Sequence, residues 1–425
     1  MSRLRGASRG GVRQPWWIFV VALCAVAVSG VVVLFVLTTD TGEDADPDDA
    51  PAATDSVDGV GDESDRETEE GPVAGPWTTW ERVPEDHDVF GVGRERPMAG
   101  VASAGPGLVA VGYDSAREVA VVWVSEDGRE WERIEHDEEV FGGEGTQLMN
   151  DVALGGPGVV AVGTAQGDAG VWVSPDGRDW NRVPQEGALT SEGRQDINAV
   201  VAGGPGLVAV GRDRHLESAA VWVSEDGLDW ERIEHDEDVF GGPGPQVMAD
   251  VVATDDLVVA VGDDRGTDGD GAVWVSLDGW TWERVDAEEV VGGTGAQFIT
   301  GLAARAGDFV AVGHDFAVPS PAVWSSADGR EWSRMVLDAP DLGGDASGLM
   351  NAVAASDDGF VAVGQDGSAP AVWVSDGDVW RRVEDQEPFH GPGERRMDDV
   401  ALFDEALVIV GADEDAGQAA VWRAE

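Results

Sequence analysis

The chain has 425 residues and a formal net charge of −56, from 83 acidic residues against 27 basic ones, and every basic residue is Arg. A field this negative repels phosphate backbones and anionic lipid, which excludes nucleic acid and polybasic-type membrane contact. The 42% hydrophobic content excludes wholesale disorder.

Residues 1–15 form a short segment carrying Arg3, Arg5, Arg9 and Arg13. Residues 16–37, WWIFVVALCAVAVSGVVVLFVL, contain no charge, and about 20 apolar residues suffice for a helix to cross the hydrocarbon core. Trp16 and Trp17 stand where an interfacial aromatic belt would lie. Arg ahead of the span predicts a cytoplasmic N-terminus and an extracytoplasmic remainder. A cleaved signal peptide has a shorter apolar region, of about 7 to 15 residues, and no small-x-small site closes this one. Val21 and Leu23 suit a lipoprotein motif at Cys24 badly, and a single Cys makes no disulfide within the chain. The expectation is a single-pass anchor in the cell membrane. Residues 38–75 are Asp, Glu, Gly, Pro and Ala with almost no large apolar side chain. They bury too little to offset ordering entropy, so a disordered acidic linker is expected.

Residues 76–425 repeat. Trp123, Trp172, Trp222, Trp274, Trp324, Trp373 and Trp422 recur every 49 to 52 residues, each directly after a Val. A second set, Trp80, Trp131, Trp180, Trp230, Trp282, Trp332 and Trp380, keeps nearly the same period. Runs such as LVAVG from Leu108 precede the first set, and runs such as MNDVA from Met149 precede those. Each run is short, β-branched or aromatic, and bounded by Gly, Asp or Pro, which is strand chemistry. Four short strands per unit of about 50 residues is the pattern of a propeller blade. The chain opens with an isolated WTTWERV (77–83) and closes with AAVWRAE. Pairing the two would complete one blade and remove an exposed edge. The predicted fold is all-β, a seven-bladed β-propeller of four-stranded blades closed by three C-terminal strands and one N-terminal strand.

Between the third and fourth strands stand SEDGREW from Ser125, SPDGRDW from Ser174, SEDGLDW from Ser224, SLDGWTW from Ser276 and SADGREW from Ser326. Asp-Gly suits a tight turn, because Gly accepts positive φ and Asp bonds neighbouring N–H groups. This hairpin resembles the Asp-box, or BNR, repeat Ser-x-Asp-x-Gly-x-x-Trp of sialidases and other propellers. The chain also resembles the seven-bladed assembly factors of photosystem II, whose blades carry a similar AVG strand before the box. The resemblance spans residues 77–425. It departs from the pattern by one residue missing between Asp and Gly, and by a further one in SDGDVW (375–380). In that family the box is a structural turn away from the sialidase active site, so the resemblance implies a fold rather than an activity.

A sialidase-like site would need an Arg triad, a Tyr nucleophile with a Glu partner, and an Asp acid; this chain has one Tyr, Tyr113. Facing carboxylate pairs carry little signal among 83 acids. The six His residues show no metal-ligand spacing, and His87, His136 and His235 recur in one repeat slot. No nucleophile triad, HExxH or phosphate loop is present, so no catalytic residue is assigned.

Binding is the better class. The second strand ends as Gly-x-Asp in six units, at Asp114, Asp213, Asp264, Asp315, Asp366 and Asp413. They read either as a ring of carboxylates for a cation or basic partner, or as a repeated Asx turn. Ahead of the inner strands stand Arg96, Gln147, Gln195, Gln246, Gln297 and Arg395, positioned to bond a sugar or peptide or to cap strand ends. The loop GDDRGTDGDGA (262–272) offers Asp264, Asp268 and Asp270 as oxygen ligands for Ca²⁺, without EF-hand spacing; no other cofactor is indicated. The reading is a membrane-anchored extracytoplasmic propeller that binds or scaffolds an envelope protein or cell-surface polymer, with a basic partner favoured by its field. The alternative is an Asp-box glycoside hydrolase acting on extracellular glycan.

Overall fold

A computed structural model describes residues 27–28, 31–32, 77–93, 97–266, 269–286, 291–292, 295–317, 320–337, 348–377, 379–384, 386–391 and 393–425. The chain divides into two units, Met1–Glu70 and Gly71–Glu425. In the first, Ala27–Val28 pairs antiparallel with Val31–Val32. The rest of the expected anchor, the Arg-rich start and the acidic linker lie outside the described residues. No helix among the described residues is long and apolar enough to cross a membrane.

The second unit is a seven-bladed propeller. Seven four-stranded antiparallel sheets follow one another, and each inner strand packs on the next until the last meets the first. The inner strands of blades 1 to 7 are Met98–Ala104, Gln147–Gly155, Gln195–Gly203, Gln246–Ala253, Gln297–Arg305, Gly348–Ser356 and Arg395–Phe403. Blade 7 is completed by Trp80–Arg82, which pairs with Gln418–Ala424 in the register Trp80↔Ala424, Glu81↔Arg423 and Arg82↔Trp422. The closure expected from the two chain ends is therefore what forms.

Two repeated residues acquire physical reasons. The Gly of each AVG run faces a bulge in the inner strand, where the register slips, as between Ile197 and Ala199. A Cβ on Gly211 would lie 2.0 Å from the Asp196 carbonyl oxygen, and one on Gly112 would lie 2.0 Å from that of Pro97. Only glycine permits this approach. The third-strand Trp residues are fully buried, and in blades 1 to 4 and 7 their indoles hold the connector that enters the blade. Trp123, Trp172 and Trp274 donate Nε1–H to the carbonyls of Val89, Val140 and Val239 at 2.8, 2.8 and 2.7 Å. Those connectors contain one-turn helices, His87–Phe90, Glu138–Phe141 and Glu237–Phe240, each capped by an Asp side chain and each burying its Phe. The recurring His residues sit there: His136 and His235 contact Glu138 and Glu237 on the surface, at 3.0 and 3.1 Å.

Side chains at the bulges bridge neighbouring inner strands around the axis. Asn150, Asn198 and Asn351 donate Nδ2–H to the carbonyls of Ile197, Met248 and Met397, all at 2.7 Å. Thr300 donates to that of Met350 at 2.7 Å. Asp151, Asp250 and Asp399 accept the N–H groups of Val200, Leu302 and Val101 at 2.8, 2.7 and 2.7 Å. Among the described residues only the junction of blades 1 and 2 has no such bridge, and there Gly100 lets the strands close up against Asp151.

Candidate functional site

The residues that repeat are committed to structure. In the turn of blade 1, the Ser125 hydroxyl accepts the Gly128 N–H at 2.9 Å and donates to the Glu130 carbonyl at 2.7 Å. Asp127 Oδ1 accepts the N–H groups of Arg129 and Glu130, and Trp131 Nε1–H closes on the Gly128 carbonyl at 3.1 Å. Those two N–H groups hold the Asp127 carboxyl below the ordinary range. Equivalent bonds to Asp176, Asp226, Asp278 and Asp328 do the same in blades 2 to 5. The shortened turn of blade 6 cannot close this way, and Trp380 Nε1 has no partner among the described residues.

The six Gly-x-Asp carboxylates are also engaged, each inside its own blade. Their outer-strand partners come from the Trp-x-Arg segments. Arg133, Arg232, Arg284, Arg334 and Arg82 reach Asp114, Asp213, Asp264, Asp315 and Asp413 at 3.1, 2.8, 2.7, 2.7 and 2.9 Å. Arg382 lies 3.5 Å from Asp366. Four of these guanidiniums also lie over the buried Trp of the blade, at 5.7 to 5.9 Å from the ring. The second carboxylate oxygen takes the Asx-turn bonds, as Asp213 does from His215 and Leu216 at 2.8 and 3.1 Å. Burial pushes the Asp213 carboxyl up, but the Leu216 N–H and Arg232 outweigh it and leave it below the ordinary range. Asp413 lies low for similar reasons, with Arg395 opposing burial.

The residues that open the inner strands join the same clamps. Gln195, Gln246, Gln297 and Arg395 are in register with Asp213, Asp264, Asp315 and Asp413. Gln246 bonds Asp264 at 2.6 Å and accepts from Arg284 at 3.1 Å. Arg395 donates to Asp413 at 2.8 Å. In blade 2, Ala165 stands where the others have Asp, and Arg182 turns to Gln147 at 3.1 Å. Gln297 reaches the Val291 and Gly292 carbonyls at 3.2 and 2.8 Å, whereas neither amide atom of the buried Gln195 finds a partner among the described residues. Arg96 and Asp268 lie outside the described residues. Asp264 and Asp270 face each other across the 262–272 loop, and no group of His, Cys, Asp or Glu among the described residues is placed to hold a metal.

Chemistry that does not repeat is concentrated where the same face crosses blades 3 to 5. Asp196 Oδ2 accepts Arg212 Nε and Arg214 Nε at 2.8 and 2.6 Å, while its other oxygen accepts the Thr164 hydroxyl of blade 2 at 3.0 Å. Asp263 accepts Arg265 Nη2 at 3.0 Å, and the Arg265 guanidinium lies 5.3 Å from the Phe298 ring. Phe298, His314 and Phe316 then pack edge to face, with centroids 5.1 to 6.2 Å apart. The charges of Arg212, Asp263 and Arg265 act on one another, which couples blades 3 and 4, and the Arg265–Phe298 contact joins blade 5 to them. Burial pushes the Asp263 carboxyl up to about 6, against the pull of Arg265. Burial also pushes His314 down to about 4, so its ring is neutral at pH 7. Asp263 Oδ1 and both His314 ring nitrogens make no hydrogen bond of normal geometry among the described residues. Sequence reasoning missed this patch. Its signal is that the slot after the AVG glycine, which holds Tyr113, Thr164, Gln365 and Ala412 in the other copies, holds Arg212, Asp263 and His314 in three consecutive ones.

Along the axis, Asp151, Asp250 and Asp399 are half-buried and act on one another from separate blades. Burial pushes Asp151 up to about 6. Burial and the Asp151 charge push Asp250 up to about 7, and the same causes raise Asp399 well above the usual range. A wide depression of about 1360 Å³ opens on the opposite face near the ring closure, lined by Trp77, Arg129, Arg305, Phe403, Arg423 and Glu425. Within it, Arg129 and Arg423 are ion-paired with Glu425.

No family model matches the sequence. No curated protein matches it either. Among solved structures it is similar to the computationally designed Ika8 protein, at 19% identity, covering 79% of this chain and 98% of that one, with a TM-score of 0.46.

Proposed function

We propose that the protein is a membrane-anchored extracytoplasmic binding or scaffolding module, held at the cell membrane by residues 16–37, whose propeller recognises an envelope protein or cell-surface polymer. One observation carries this reading. The repeated carboxylates are committed to clamps and turns, so the chemistry left to distinguish partners is the Arg, Asp and Phe patch of blades 3 to 5. A guanidinium at Arg214 and an aromatic edge at Phe316 suit a ligand with both polar and apolar faces.

The test is capture from the native envelope with the full chain as bait, beside an Arg214→Ala/Phe316→Ala bait that retains the six clamps. A single partner retained by the wild type and lost by the variant is expected. Equal retention by both baits removes this face from the reading. Release of sugar from a glycan panel, abolished by Asp151→Asn or Asp250→Asn, replaces the reading with a hydrolase.

A further inference from the structure

The turns that join third to fourth strands lie on the other face, each packed against the turn between the first two strands of the preceding blade. A Cβ on Gly156 would meet the Asp226 carbonyl, and one on Gly204 would meet that of Asp278. In blades 1, 2 and 5 the residue after the turn glycine is an Arg that reaches back to the outer-strand Glu of the preceding blade. Arg129 pairs with Glu81 at 2.7 Å, Arg178 with Glu132 at 2.5 Å and Arg330 with Glu283 at 2.6 Å. The slot is thus a surface ion pair that ties neighbouring blades.

Blades 3 and 4 break this pattern together. The slot holds Leu228, 50% exposed, and Trp280, 38% exposed, and between Ser276 and Asp278 stands Leu277, 74% exposed. Of the seven large apolar side chains exposed among the described residues, these three fall in two adjacent turns. Glu231, the outer-strand residue that an Arg at position 280 would meet, has no ion pair among the described residues. Around them stand the exposed carboxylates of Glu225, Asp226 and Asp229. The arrangement gives up an interblade ion pair and displays an indole and two leucines inside an acidic rim. A patch of this kind on a chain of net charge −56 repels a second copy and an anionic lipid surface, and attracts a cationic partner with apolar side chains of its own.

We propose that the adjacent turns of blades 3 and 4 form a docking surface for a basic amphipathic segment of another protein. Leu228, Leu277 and Trp280 take its apolar side chains, and Glu225, Asp229 and Glu231 take its Lys or Arg residues. The surface lies on the face opposite the Arg and Phe patch and is independent of it.

The experiment uses the full chain in nanodiscs and fluorescence anisotropy of two labelled peptides, a short amphipathic Lys/Leu peptide and a Lys/Gly peptide of equal charge. The variant Leu228→Arg/Trp280→Arg installs the residue that blades 1, 2 and 5 already carry, so the turn is kept. The wild type is expected to bind the Lys/Leu peptide at least about tenfold more tightly than the variant does, the size of effect that follows from deleting two apolar anchors. Leu277→Ser is expected to give a smaller loss, and Arg214→Ala/Phe316→Ala none. Equal affinity of wild type and arginine variant overturns the proposal. So does Lys/Gly binding as tight as Lys/Leu binding, or self-association of the wild type that the variant abolishes. Should the double variant melt early, the Leu277→Ser comparison decides.

Discussion

At Asp213 a single carboxylate serves three strands. It ends the second strand, caps the turn that follows through His215 and Leu216, and neutralises Arg232 over the Trp222 ring. Removing one partner of a buried pair leaves the other desolvated and uncompensated, which costs about 3 kcal/mol or more. Asp127 also accepts two N–H groups, but its turn faces water, which replaces lost bonds at a net cost of about 1 kcal/mol. Asp213→Ala is therefore expected to lower the urea midpoint clearly more than Asp127→Ala, with the m-value unchanged. Equal midpoints would mean that the clamp contributes no more than the surface turn.

The ring-closing strand Trp80–Arg82 is short, yet it completes blade 7 and supplies the Arg82 partner of Asp413. Deleting residues 77–83 exposes the edge of Gln418–Ala424 and leaves Asp413 one Arg partner, Arg395, in place of two. The expected outcome is a lower melting temperature and concentration-dependent self-association, seen by light scattering, because an unpaired strand edge templates pairing with another chain. A monomeric deletion variant with an unchanged melt would show that the ring holds without the closing strand. This strand and its partners were legible in the sequence, because period-two apolar runs and a split terminal unit survive without tertiary knowledge. The one-turn connector helices were not: four residues set no period, and their Asp caps read as more acidic loop. The Gly-x-Asp ends were legible as a set, but their orientation was not. Asp114 and Arg133 stand nineteen positions apart, and only register across three strands brings them together. The Arg212, Asp263 and His314 differences were visible letter by letter, whereas their contiguity needed the ring.

Over the whole molecule, two carboxylate populations respond to pH in opposite senses. The turn aspartates are held below the ordinary range, so their stabilisation is present above pH 4 and is lost as they protonate. The axial carboxylates are raised, Asp151 to about 6 and Asp250 to about 7, by burial first and by mutual repulsion in Asp250. A carboxyl whose folded value exceeds its unfolded one binds protons more readily in the native state. Its favourable contribution is complete below about 4 and disappears as pH rises through the folded value. Stability is thus expected to increase as pH falls from 8 to 5 and to decline below about 4. The net charge of −56 produces part of the same slope, but surface repulsion is screened by salt, whereas groups deep in the ring are screened much less. Melting temperatures measured from pH 5 to 8 in high salt therefore report the buried carboxylates, Asp263 as well as the axial groups. Asp151→Asn/Asp250→Asn carries no titrating charge at either position, so its melting temperature should vary less with pH than the wild type's, even if it is lower throughout. Parallel curves for the two proteins would place the pH dependence elsewhere and leave the axial carboxylates as interblade bridges alone.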